Sequence, residues 1–122
     1  MVEVICDTNF LIHLATRQIR NLDKIELDIG NLTFLIPTVV KNELLNLKKD
    51  KQKEFEIIKT LDFIKNFKTI SINGTYADKE IINYTISSRC FVGTMDKKLK
   101  KQIKRNGSKI ISFSNDNLIL EF

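Results

Sequence analysis

Short, unbroken apolar runs alternate along this chain with longer segments whose apolar residues recur every three or four positions. The runs are Val2 to Cys6, Thr33 to Ile36, Thr69 to Ile72, Cys90 to Thr94 and Lys109 to Ser112. Runs this short, set off by polar and turn-forming residues, read as strands buried on both faces. Between them the spacing predicts helices. The first covers Thr8 to about Arg17, with Leu11, Ile12, Leu14 and Ala15 on its inner side. A short second one covers Arg20 to Asp28 and is ended by Gly30-Asn31. Pro37 stops the second strand, and Thr38 starts a helix through Leu47. Lys48 to Lys53 is polar and fits either a turn or a continuation. Phe55 to Phe67 bears Phe55, Ile58, Phe63 and Phe67 near helical spacing. After the Asn73-Gly74 turn, Thr75 caps a helix to about Ser88, with Asp78 three residues on completing a capping box. A last helix over 96–105 is closed by Asn106-Gly107. Residues 113–122 form a tail in which Leu118-Ile119-Leu120 reads as an edge strand.

Strands and helices alternating through short connections predict an α/β fold, with a parallel sheet covered by helices on both faces. The 122 residues suit one domain, 1–122, and an apolar fraction of 43% suffices for a core. The formal charge is +5, unevenly spread. Residues 97–109 carry Lys97, Lys98, Lys100, Lys101, Lys104, Arg105 and Lys109 with no acid among them. Such a block is either a solvated helix face or a surface for an anionic partner, nucleic acid before membrane. Cys6 and Cys90 both fall in apolar runs, at neither a zinc spacing nor a disulfide framework, so buried thiols in a reducing, cytoplasmic setting are expected. The opening Met1-Val2-Glu3 does not read as a signal peptide, and no run approaches the length of a spanning helix.

Four acids stand where such a fold would gather them. Asp7 and Asp96 each close a strand and open a helix, at the end of the sheet where open α/β folds bind ligands. Glu43 and Asp78 come from helices. Each has a plainer role open to it: Asp7 and Asp96 as caps, Asp78 as the first-turn acid of a capping box, Glu43 as a surface residue. Two features count against those roles. Glu43 shares its stripe with Val40 and Leu47, and Asp78 shares its face with Ile81 and Ile82. Carboxylates about 4 Å apart also repel by about 4 kcal/mol at an effective dielectric of 20, so four together call for a cation or for protons. All-oxygen ligands favour magnesium or manganese over zinc. His13, the lone histidine, sits mid-helix without a partner and builds no Ser-His-Asp or Cys-His set, and no phosphate-binding glycine loop is present.

Four segments, in order, resemble the motifs of PIN-domain ribonucleases. They are Val4-Ile5-Cys6-Asp7-Thr8-Asn9, Ile36-Pro37-Thr38-Val39-Val40-Lys41-Asn42-Glu43-Leu44, Ala77-Asp78-Lys79-Glu80-Ile81-Ile82 and Val92-Gly93-Thr94-Met95-Asp96-Lys97-Lys98-Leu99. The resemblance implies a three-layer domain with about five parallel strands and metal-dependent cleavage of RNA. It places Asp7, Glu43, Asp78 and Asp96 as metal-binding and catalytic acids, with Asn9 and Thr94 orienting them. The third and fourth motifs are similar to those of archaeal PIN proteins akin to ribosomal-RNA processing nucleases. Toxins of the VapC type stand further off, because the helix here reads Ile81-Ile82-Asn83-Tyr84-Thr85-Ile86 rather than a longer alanine-rich one. Lys79, Lys97 and Lys98 occupy positions where relatives carry further acids. One firmly held Mg²⁺ or Mn²⁺ is therefore expected, with a second arriving with the RNA.

The basic block on the last helix then becomes the RNA-binding surface, through Lys97, Lys98, Lys101, Lys104 and Arg105. Ile36-Pro37 stands where a phosphoryl-accepting receiver domain needs its acceptor Asp, and Asn9 where a haloacid-type phosphatase needs its second Asp. The remaining alternatives are a non-catalytic RNA-binding PIN scaffold and a toxin with an antitoxin partner. The apolar tail offers an edge through which two copies would pair as a homodimer.

Overall fold

The computed structural model describes residues 2–121. Its elements run β1 (Val2–Cys6), α1 (Thr8–Thr16), α2 (Leu22–Ile29), β2 (Leu32–Pro37), α3 (Thr38–Leu47), α4 (Glu54–Ile64), β3 (Lys68–Ile70), α5 (Ala77–Ser87), β4 (Phe91–Gly93), α6 (Lys97–Arg105), β5 (Lys109–Ser114) and β6 (Asn117–Glu121). Residues 48–53 are turns. The sheet has six strands in the order β3-β2-β1-β4-β5-β6. Five are parallel, and the tail supplies β6 as an antiparallel edge on β5. After β1 the chain moves outward to β2 and β3, then returns to the other side of β1 for β4. The order therefore reverses between β1 and β4, and the crevice at such a switch point is where open α/β sheets hold ligands.

Alternation along β5 defines the layers. The ring of Phe113 meets α1, with its centroid 5.1 Å from that of Phe10 and 4.2 Å from that of His13. Its neighbour Ser112 points to the opposite face, where its hydroxyl lies 2.9 Å from Lys100 Nζ of α6. Helices α3 and α4 pack with α1, α5 packs with α6, and α2 lies against β6. The inner strands are covered on both sides, and Val4, Ile5 and Cys6 have no exposed surface.

Helix α4 turns a different side inward from the one its phenylalanines suggest. Ile57, Thr60 and Ile64 are buried, whereas Phe55 is 82% exposed. A polar residue joins that inner stripe because Thr60 donates its hydroxyl to the Glu56 carbonyl one turn back, at 2.8 Å, and so buries no unpaired group. Helix α5 begins later than expected. Tyr76 is its capping residue and makes no side-chain cap bond, so Thr75 and Asp78 form no capping box. Ala77, docked in the core, sets that start. The last turn of α6 ends as the Asn106-Gly107 pair predicts. Gly107, at φ 78°, and Ser108 donate their N–H groups to the carbonyls of Lys104 and Ile103.

The edge strand β6 is partly closed. The Asn21 side chain donates to the Leu118 carbonyl at 2.9 Å and accepts from the Leu118 N–H at 2.7 Å, as a neighbouring strand would. The tail is thus spent within the chain, and its edge is narrowed as a route to a homodimer.

One contact joins the halves of the sheet at its switch point. A Cβ on Gly93 would lie 2.8 Å from the Phe10 ring, so the missing side chain lets the first turn of α1 settle on β4. The Asp7 N–H donates to the Gly93 carbonyl at 3.0 Å in the same place. We expect Gly93→Ala to destabilise the fold by about 1–3 kcal/mol through overpacking, read as a lower urea midpoint at unchanged slope.

Candidate functional site

Asp7 is the residue that follows β1, and it is 5% exposed. Its carboxylate caps α1, one oxygen accepting from the Phe10 N–H at 2.8 Å. The other oxygen accepts from the Thr94 hydroxyl. Thr94, which directly follows β4 and has no exposed surface, also accepts from the Asp96 N–H at 3.1 Å. One threonine therefore ties the side chain of the first acid to the backbone of the fourth, across the switch point. Thr8, beside Asp7, is buried with its hydroxyl unpaired among the described residues.

The other acids are set differently. Asp96 is exposed and caps α6, with Oδ1 accepting from the N–H groups of Lys98 at 2.8 Å and Leu99 at 3.3 Å. Its second oxygen is left for other partners. Glu43 is half-buried on α3. Asp78 is exposed in the first turn of α5, not buried with the neighbouring Ile81 as its spacing suggests, because the buried stripe runs Ala77, Ile81, Thr85 and Asp78 lies on its flank. Helices α3 and α5 are in contact. Asn9 is exposed in the first turn of α1.

Electrostatics join the four acids into one set. Burial raises the Asp7 pKa to about 6, against the Thr94 and Phe10 hydrogen bonds that lower it; the charges of Asp78 and Asp96 raise it further. The Asp78 pKa is raised first by desolvation, then by the charges of Asp96 and Glu43. All four carboxylates thus take part in one repulsive group. As they stand, no three acidic, histidine or cysteine side chains among the described residues are drawn close enough to hold a metal ion. The chemistry of the set nevertheless fits a hard divalent cation. It is all oxygen, and it carries repulsion that such an ion relieves. Asp7 is buried and held by two hydrogen bonds, whereas Asp78 and Asp96 are exposed.

The basic helix divides its charge. Lys100 Nζ lies 2.7 Å and Lys104 Nζ 3.1 Å from the Glu121 carboxylate of β6. Those lysines lower the Glu121 pKa, chiefly through the Lys100 hydrogen bond. Lys104, grouped by sequence with the phosphate-binding residues, is exposed and at the same time paired with Glu121. Lys97, Lys98, Lys101 and Arg105 are exposed. Beside Asp96 and Asn9 a cavity of about 440 Å³ opens between α1 and α4, reaching Arg17 and Glu56. Neither of these two residues carries a signal in sequence, because they meet only through helix packing. Among the described residues no helix is long and apolar enough to cross a membrane.

Residues 4–115 match the family model described as a PIN like domain. The chain is 30% identical over 112 residues to Ribonuclease VapC4 of Methanocaldococcus jannaschii, covering 87% of this chain and 86% of that protein. A solved structure described as the PIN domain endonuclease Utp24 superposes with a TM-score of 0.79 at 28% identity, over 98% of this chain and 90% of the other.

The raised pKa of Asp7 has a thermodynamic consequence. Between about pH 4 and 6 the folded protein binds a proton at Asp7 that the unfolded chain has released, so stability falls as pH rises through that window. In metal-free protein we expect Asp7→Asn to match wild type near pH 4 and to exceed it by up to about 3 kcal/mol at pH 7, measured by urea unfolding in EDTA at each pH.

Proposed function

Because the chain belongs to the PIN-like domain family, we propose that it is a metal-dependent endoribonuclease that hydrolyses RNA phosphodiester bonds. The observation that carries this is the group of four mutually repelling carboxylates around a buried Asp7, at the switch point of the sheet. The likeness to proteins named ribonuclease and endonuclease supports the reaction class.

Asp7 and Asp96 would hold a Mg²⁺ or Mn²⁺ ion, with Glu43 and Asp78 completing its surroundings. When bound, the cation supplies Lewis acidity, acidifying a water and offsetting charge on the phosphate. The rest of the work belongs to the chain. Thr94 fixes the Asp7 carboxylate by donating to it, and keeps the Asp96 backbone in register by accepting from its N–H. Asn9, which lines the same cavity as Asp96, would orient the acids. Glu43 or Asp78 accepts the proton of the attacking water, and the raised pKa of Asp78 favours it as acceptor. The exposed side of α6 holds backbone phosphates through Lys97, Lys98, Lys101 and Arg105, contacts that position RNA without reading its sequence. Free thiols at Cys6 and Cys90 agree with a cytoplasmic setting.

Ribosomal or other RNA processing is the role we favour, on the form of the third and fourth motifs. The likeness to Ribonuclease VapC4 supports a second reading, a toxin held by an antitoxin partner.

Incubating end-labelled single-stranded RNA with protein and Mn²⁺ or Mg²⁺ should give cleavage that EDTA abolishes. Asp7→Asn and Asp96→Asn should each slow it by more than about 100-fold, since even groups supporting a metal ligand are worth about 10–100-fold. Salt-sensitive binding with no cleavage in either metal would support the scaffold reading instead. Replacing Lys97, Lys98 and Lys101 together with glutamine should weaken RNA binding and lower the slope of log K against log salt by about 2, leaving the product ends unchanged. An undiminished affinity at low salt would remove α6 from the RNA surface.

A further inference from the structure

The four acids leave unexplained the cavity of about 440 Å³ beside them. Its size lies within the roughly 300–1,000 Å³ of small-ligand sites and suits one base with part of its sugar. It starts at Asp96 and Asn9 and runs along α1. A strand whose scissile phosphate lies at the acids can therefore place a neighbouring nucleotide in it.

The lining says which part of a nucleotide fits. Ile12 and Met95 are half-buried and give apolar surface for a flat ring. His13 is a fixed wall rather than a free group, with its ring on Phe113 at 4.2 Å and Nε2 at 3.2 Å from the Asn115 carbonyl. The charged groups are Arg17 at the C-cap of α1, Glu56 from α4 and Asp96. Two carboxylates against one guanidinium make a poor phosphate site. They make a good site for a base that offers N–H groups on one edge and acceptors on another. Arg17 makes a long ion pair, 3.9 Å, to Asp116, and its side chain is 63% exposed, so it can turn to a base at little cost. The Glu56 side chain is exposed on α4.

We propose that this cavity binds the base of a nucleotide adjacent to the cleaved bond and selects guanine. Glu56 accepts from the N1–H and N2–H groups, and Arg17 donates to O6 and N7. Guanine alone presents two parallel donors to a carboxylate together with the O6/N7 pair that arginine reads bidentately. Uracil flanks its single N–H with two carbonyls and sets an acceptor against Glu56. The placement beside the cut rests on the nuclease reading; the base selectivity does not.

Two measurements test it on the intact chain. Cut sites are sequenced after digestion of random-sequence RNA, and affinities are measured for hexanucleotides that differ at one position, in Ca²⁺ buffer, where no cleavage is needed. Guanine should be favoured over uracil at one position by about tenfold or more, the discrimination a good bidentate pair supplies. Glu56→Gln should cut that preference to less than about threefold in both measurements. Glu54→Gln, an exposed acid on the same helix outside the cavity, should keep it. Cleavage with no base preference near the cut, or a preference that survives Glu56→Gln, overturns the pocket and leaves the nuclease reading intact. Guanine-selective binding lost in Glu56→Gln, with no cleavage by wild type, supports the pocket and overturns the nuclease reading.

Discussion

A carboxylate buried at the end of a central strand is the constraint around which this molecule is arranged. Asp7 cannot retreat into solvent, because β1 is covered on both faces and α1 begins at the next residue. Its charge is tolerated through two hydrogen bonds, one from the backbone of its own helix and one from Thr94 across the switch point. The close approach of Phe10 to Gly93 holds those two strands' ends together. The backbone there is thus committed to holding a negative charge in a place that burial alone would make neutral. Perturbed pKa values of that kind cluster at functional sites.

The acids and the cations follow opposite rules. The acids meet at the switch point, where the charges of Asp78 and Asp96 make Asp7 harder to ionise and those of Asp96 and Glu43 do the same to Asp78. The cations of α6 are sorted: Lys100 is half-buried against Glu121, Lys104 is exposed but paired with the same carboxylate, and Lys97, Lys98, Lys101 and Arg105 are exposed. Leu99 and Ile103 are the buried seam about which that sorting occurs. The helix starts at Asp96, so its solvent-facing charge begins beside the acids, and one element links the candidate reaction centre to the candidate phosphate track.

Much of this was legible in the chain. The apolar runs gave the strands, because strands buried on both faces leave unbroken patterns, and Asp7 and Asp96 stood at strand ends that any parallel sheet aligns. Asp78 was harder. Its spacing from Ile81 suggests burial, but the stripe that enters the core is Ala77, Ile81 and Thr85, and Asp78 stands about 100° round the helix from Ala77. The phenylalanines of α4 do not mark its inner side, since Ile57, Thr60 and Ile64 are buried while Phe55 is large and apolar yet lies away from the core. The capture of Lys104 by Glu121, and the meeting of Arg17 with Glu56 around one cavity, have no local signature at all. Both join residues far apart in sequence, and only the packed chain brings them together.

The hairpin of β5 and β6 sets more than the edge of the sheet. Ser114 pairs with Asn117, leaving Asn115 and Asp116 as a two-residue turn, with Asn115 at φ 55°. That turn fixes the strand register, and with it the face on which Glu121 emerges beside Ser112 and Lys100. A slip of one residue would send Glu121 to the opposite face and leave both lysines without that carboxylate. The electric field that α6 offers an approaching anion is thus governed by the length of a turn on another element. Charge at the surface of this fold can be retuned by lengthening or shortening that hairpin, without altering a single basic residue.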